Sequence, residues 1–146
     1  ITELKCAPWP LKGSGRVKLK TNKKKFIYLI SPNKIYKNFF RDLRLVLKNK
    51  KISFFQLRLK NYSFRQKVFI GKKIKKICKK NRVKFLINDD PALSYKLDAD
   101  GCHLGQKDMD IKEARKIIGK KIVGITCHNS LIWQKKLLKI KQATLP

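Results

Sequence analysis

Acid is scarce in this chain of 146 residues: nine Asp and Glu stand against 38 Lys and Arg, for a formal net charge of +29. Arginine is scarce as well, limited to Arg16, Arg41, Arg44, Arg58, Arg65, Arg82 and Arg115, and lysine runs such as "NKKKF", "KNKKI" and "GKKIKKICKK" supply the rest of the positive charge. Any such surface attracts polyanions at low salt. Arginine, however, is the residue suited to bidentate phosphate and base contacts, so the lysine excess reads as a solvated surface with a compositional bias, and no specific nucleic-acid partner is expected. The four cysteines, Cys6, Cys78, Cys102 and Cys127, form no CxxC pair, which argues against a disulfide framework or a zinc finger and for reduced cytoplasmic thiols. No apolar run approaches the roughly 18 residues of a membrane span, and "ITELKCAPWPLKGSG" lacks the apolar core of a signal peptide. A soluble, cytoplasmic protein is therefore expected, with no membrane partner.

What is present is enough apolar residue, 42% of the chain, to bury one core. Residues 1–25 mix Pro, Gly, Ser and Lys without periodicity and read as a flexible basic leader. From Phe26 short apolar runs alternate with segments of helical period. "FIYLI", "SFFQLRLK", "VKFLIND", "DGCHLG" and "KIVGIT" read as strands. Between and after them, "KIYKNFFRDLRLVLKNK" carries Phe39, Leu43, Val46 and Leu47 on one face, and "SFRQKVFIGKKIKKICKK" carries Val68, Ile70, Ile74 and Ile77 near one stripe. "PALSYKLD" and "SLIWQKKLLKIK" are further helices, and "DIKEARKIIG" takes Asp110 as N-cap and Gly119 as its stop. Strands separated by helices pair in parallel. Two α/β architectures satisfy this, a five-stranded doubly wound sheet and part of a (β/α)8 barrel, and in both, ligands bind beyond the carboxyl ends of the strands.

Six of the nine acidic residues, Asp89, Asp90, Asp98, Asp100, Asp108 and Asp110, lie in the single stretch "FLINDDPALSYKLDADGCHLGQKDMD". Asp90 before Pro91, and Asp110, fit capping and turns. Asp89 follows the third strand at "IND", and Gln106 and Asp108 follow the fourth at "HLGQKD". Two carboxylates from adjacent strand ends suit a hard cation such as Mg2+ bridging to a phosphate, with turn duty as the other reading. On the second strand Gln56, Arg58 and Lys60 alternate onto one side, where three long polar groups are costly unless they meet a ligand. A pyrophosphate clamp or a solvated strand edge would account for them. On the fifth, Gly124, Thr126 and His128 share a face opposite Ile125 and Cys127, so the Cys-His pairs at 102/103 and 127/128 cannot all serve one zinc. His103 and His128 read as hydrogen-bonded pocket histidines.

The ordered set "FFQLRLKN", "FLINDDPALS", "ADGCHLGQKDM" and "KIVGITCHNS" resembles the successive motifs of the thiamine-phosphate synthase (thiamine-phosphate pyrophosphorylase) family, from about Phe26 to Ser130. The resemblance implies a (β/α)8 barrel, of which about five units would be present over residues 26–146. It also implies an enzyme that joins a pyrimidine methyl diphosphate to a thiazole phosphate, releasing pyrophosphate. On it, Gln56, Arg58, Lys60 and Asn88 would hold the pyrimidine diphosphate, with Arg58 and Lys60 stabilising the leaving group. Thr126 would stand at the family's small hydroxyl position, and Asp89 and Asp108 would bind Mg2+.

The pattern departs from the family after Ser130, where one helix precedes Pro146 and the thiazole-phosphate loops have no counterpart. The chain opens at Ile1 rather than Met, and both ends read as cut, so a fragment with impaired activity is expected. Open strand edges would favour self-association. Two rivals stand beside this reading. A thiazole tautomerase-like paralogue has less need of the full "QLRLK", "ND" and "GQKD" set. A basic nucleic-acid-binding protein would use the interleaved aromatics of "NFFRDLRL", whose apolar members fit core faces instead.

Overall fold

The structure is a computed structural model that describes residues 26–126. Those residues form β1 (Ile27–Ile30), α1 (Phe39–Val46), β2 (Ile52–Leu57), α2 (Phe64–Lys80), β3 (Lys84–Asn88), α3 (Pro91–Lys96), β4 (Gly101–Leu104), α4 (Ile111–Ile118) and β5 (Ile122–Ile125). The five strands make one sheet in chain order, and every neighbouring pair is parallel. The leader at residues 1–25, Cys127, His128 and the last expected helix lie outside the described residues.

Side-chain alternation settles which architecture this is. Phe55, Leu57, Phe85 and Ile87 join Phe39 and Leu43 of α1, Ile74, Ile77 and Cys78 of α2 and Leu93 of α3 in one core cluster. Cys102, Leu104, Val123 and Ile125 join Ile111, Ala114 and Ile118 of α4 in a second. All four helices thus cover the same face of the sheet, whereas a doubly wound sheet carries helices on both. Sequential parallel strands with every helix outside are the geometry of a (β/α)8 barrel wall. The other face, the inside of that wall, carries Tyr28, Phe54, Gln56, Leu86, Asn88, His103 and Gly124.

Local chemistry explains where the elements stop. Ser63 caps α2 in a capping box with Gln66, Asp90 caps α3 by accepting from the Leu93 N–H at 2.8 Å, and Asp110 caps α4 by accepting from the Lys112 N–H at 2.9 Å. Gly119 ends α4 at φ +60°. Helix α1 is shorter than its apolar pattern suggests. Phe39, Leu43 and Leu47 are buried while Val46 is 46% exposed, because only the i, i+4 line touches the sheet. Gly71 of α2 permits the close approach of α3, since a Cβ there would sit 2.4 Å from Leu97 Cδ1. Strand β1 is a sheet edge among the described residues, and Phe26, Ile27 and Ile30 along it are about half exposed.

Candidate active site

The carboxyl ends of the five strands open into one cleft of about 650 Å³, lined by side chains from every strand or the loop after it. Gln56, Arg58, Asn88, Asp89, Gln106, Asp108 and Thr126 all line it, as do Tyr28 and His103. The register makes this convergence possible: Asn88 pairs with His103, and His103 with Gly124, so the inward-facing residues of β3, β4 and β5 stand in a row.

A directed chain of hydrogen bonds crosses the strand tips. The Tyr28 hydroxyl donates to Gln56 Oε1 at 2.7 Å, Gln56 Nε2 donates to Asn88 Oδ1, and Asn88 Nδ2 donates to Asp89 Oδ2. Asp89 in turn lies within hydrogen-bonding reach of Asp108. Burial pushes the Asp89 carboxyl up to about 6, with the hydrogen bond and charge of Asp108 adding to the rise and Asn88 and Arg58 opposing it. Two acids have been brought together in a partly dehydrated corner, where their repulsion is relieved only by a proton or a cation.

Backbone geometry holds both acids in place. Asp89 adopts a left-handed conformation with φ +60°, which Asp tolerates better than most residues, and its N–H donates to the His103 carbonyl at 2.7 Å. Asp108 folds back over the loop so that Oδ2 accepts the Gly105 N–H at 2.6 Å, and a Cβ on residue 105 would sit 2.7 Å from that oxygen. The glycine three residues before Asp108 is a local requirement for the turn, and "GQKD" is legible as such in the sequence.

Next along the row, His103 Nε2 lies 2.8 Å from Thr126 Oγ1, while buried His103 Nδ1 has no partner. An N–H buried without an acceptor costs more than an unused lone pair. The proton therefore belongs on Nε2, donating to Thr126 and leaving the hydroxyl hydrogen for the cleft. Burial lowers the affinity of the ring for a second proton, partly offset by Asp108. Gly124 makes room for this ring, since a Cβ there would lie 2.6 Å from Nδ1.

The second strand departs from its expected length. It ends at Leu57, so Arg58 and Lys60 sit in the loop beyond rather than alternating along a strand, and Lys60 is exposed and outside the cleft lining. Pairing stops because β1 has ended at Ile30. Ser31, nearly buried, substitutes for a strand neighbour: its N–H donates to the Gln56 carbonyl, and its hydroxyl accepts the Arg58 N–H at 2.9 Å. Arg58 itself reaches Asn33 Oδ1 at 3.4 Å and lines the cleft. Tyr28, Ser31 and the His103–Thr126 pair were not singled out by spacing, since a tyrosine in an apolar strand carries no local mark of its partner.

Comparison with known proteins identifies the family. The profile of the thiamine monophosphate synthase family matches residues 27–139. This chain belongs to that family. It is 66% identical over 123 residues to a thiamine-phosphate synthase from Pelagibacter ubique, covering 82% of this chain and 59% of the relative. It is 40% identical over 103 residues to a thiamine-phosphate synthase from Campylobacter jejuni, covering 68% and 49%. Among solved structures, a thiamine phosphate pyrophosphorylase from Pyrococcus furiosus superposes with a TM-score of 0.66 at 28% identity, over 77% of this chain and 56% of that one. The chain thus spans about half to three fifths of the length of these relatives. Within the thiamine monophosphate synthase family the matched region contains every cleft residue named above.

Proposed function

We propose that this chain carries the pyrimidine-diphosphate half of a thiamine-phosphate synthase site. The observation that carries this reading is the meeting of Asp89 and Asp108 in one cleft with Arg58, Gln56 and Asn88. In the reaction, the bond between the pyrimidine methylene and the diphosphate oxygen breaks, its electron pair leaves with pyrophosphate, and the thiazole nitrogen lone pair forms the new C–N bond. Negative charge grows on the leaving group, and groups placed to meet it stabilise the transition state more than the substrate. Arg58 provides a planar fork for those oxygens, and Lys60, on the loop beyond, would add a point charge. Gln56 and Asn88 hold the ring, with the Thr126 hydroxyl opposite. The aminopyrimidine delocalises the methylene cation itself, so no protein nucleophile is needed and Cys127 has no required part.

Asp89 and Asp108 would hold Mg2+. The donor set fits: both are hard oxygens, crowded enough that one of them resists ionisation. Among the described residues no three His, Cys, Asp or Glu side chains gather as a metal site. A cation here would complete its shell with water and substrate phosphate, the usual situation of Mg2+. When bound, it would neutralise charge on the departing pyrophosphate. The half-exposed edge of β1 is the surface through which copies would associate, which sedimentation at rising concentration would reveal.

Calorimetry tests the reading directly. The 146-residue chain should bind 4-amino-2-methyl-5-(diphosphooxymethyl)pyrimidine in the presence of Mg2+ and bind it far more weakly in EDTA. No binding, or equal binding in both conditions, would overturn it.

A further inference from the structure

The relay across the strand tips has a fixed direction, running from the phenol to the acid. Asn88 turns its Nδ2 toward Asp89 Oδ2 and its Oδ1 toward Gln56. Gln56 must then give Nε2 to Asn88, which leaves Oε1 facing Tyr28, and the phenol must donate. Reversing either amide would set two oxygens against each other.

Tyr28 terminates the relay on β1, the edge strand among the described residues. Its ring is fixed by stacking on Phe54, with centroids 5.7 Å apart and planes at 21°, so the hydroxyl is aimed by packing. Burial holds the phenol well above its ordinary range of ionisation, keeping the donor available. Gln56 is 3% exposed, with little freedom to seek water if that donor is lost. Once the relay is satisfied, its amide retains one N–H and one lone pair in a fixed order. A ring nitrogen beside an exocyclic amine, the edge that an aminopyrimidine presents, offers the complementary order.

We infer that Tyr28 is a positioning residue that orients the Gln56 amide for the ring of the substrate, acting through its hydrogen bond to Oε1 and not through the diphosphate. This rests on the proposed pyrimidine-diphosphate site, and it predicts a separation between ring and phosphate recognition. Tyr28→Phe keeps the stacked ring and removes only the donor, so the fold is retained.

The test is a double-mutant cycle read by calorimetry with Mg2+ present, using inorganic pyrophosphate and the pyrimidine diphosphate as the two probes. Tyr28→Phe should weaken the pyrimidine diphosphate about 5- to 10-fold, the range expected for one hydrogen bond. It should leave pyrophosphate within about twofold, and its effect should vanish in the Gln56→Ala background. Equal losses for both probes, or an undiminished loss in Gln56→Ala, would overturn the role of Tyr28 while leaving the site intact. If the unmodified chain binds pyrophosphate but not the pyrimidine compound, or binds neither, the proposed site and this inference fall together.

Discussion

Asp108→Asn is the substitution that most sharply divides a metal-dependent diphosphate site from an incidental pair of acids. The amide is nearly isosteric with the carboxylate. Its Oδ1 can still accept the Gly105 N–H now bonded to Asp108 Oδ2 at 2.6 Å, so the turn survives and one negative charge is removed. With Mg2+ present, losing one of two anionic ligands should cost about 1.5–3 kcal/mol, the scale of an interaction with a charged group. That corresponds to a roughly 10- to 150-fold weaker association of pyrophosphate. Without the cation the sign reverses. Asp108 and Asp89 then repel the diphosphate that Arg58 attracts, and Asp108→Asn should bind pyrophosphate as well as the parent or better. Calorimetry in 5 mM MgCl2 and in EDTA, about matched in ionic strength, reads both arms. A change of less than about threefold with Mg2+, or a loss of equal size in EDTA, would refute the reasoning.

Other outcomes follow from the packing. Gly124→Ala places a Cβ 2.6 Å from His103 Nδ1 and 3.4 Å from Cγ. Overpacking and loss of the bond to Thr126 should together lower stability by about 2–4 kcal/mol in urea denaturation, and a loss below about 0.5 kcal/mol would mean the ring yields freely. The Asp98 carboxyl is held down to about 2 by hydrogen bonds from Lys121 and Lys75, reinforced by their charges. Its contribution is therefore present above the unfolded value near 4 and disappears as pH falls toward 2. Asp98→Asn should melt below the parent at pH 6 and with it at pH 2, and a gap unchanged with pH would contradict this. Cys78 and Cys102 are fully buried, and burial pushes both thiols up to about 12. Peptide mapping after alkylation should find both unmodified in the native chain and labelled in urea.

Much of this was legible beforehand because the relevant forces are local. Asp110 and Gly119 bracket α4 as their chemistry requires, and Asp90 sits before Pro91 as a cap. The positions of Asp89 and Asp108 just past β3 and β4 followed from counting out apolar runs. Where local reasoning failed, a distant partner decided. Lys60 was expected on a strand that in fact ends at Leu57, because the strand's length depends on whether its neighbour continues, and β1 stops at Ile30. Val46 was expected inside and lies half out, since the angle at which α1 meets the sheet is not written in α1 alone.

The sequence by itself determined the alternation of strand and helix, the caps of α3 and α4, and the placement of acid, amide and guanidinium at the tips of successive strands. Those follow from periodicity and from the hydrogen bonds a residue makes with its own neighbours. Only the tertiary structure decided that the four described helices cover one face and that Asp89 meets Asp108. It alone showed Tyr28, 28 residues before Gln56, completing a relay that ends in a carboxylate. Such contacts depend on strand register and on how the wall curves, and both are set by the packing of the whole sheet rather than by any segment of it.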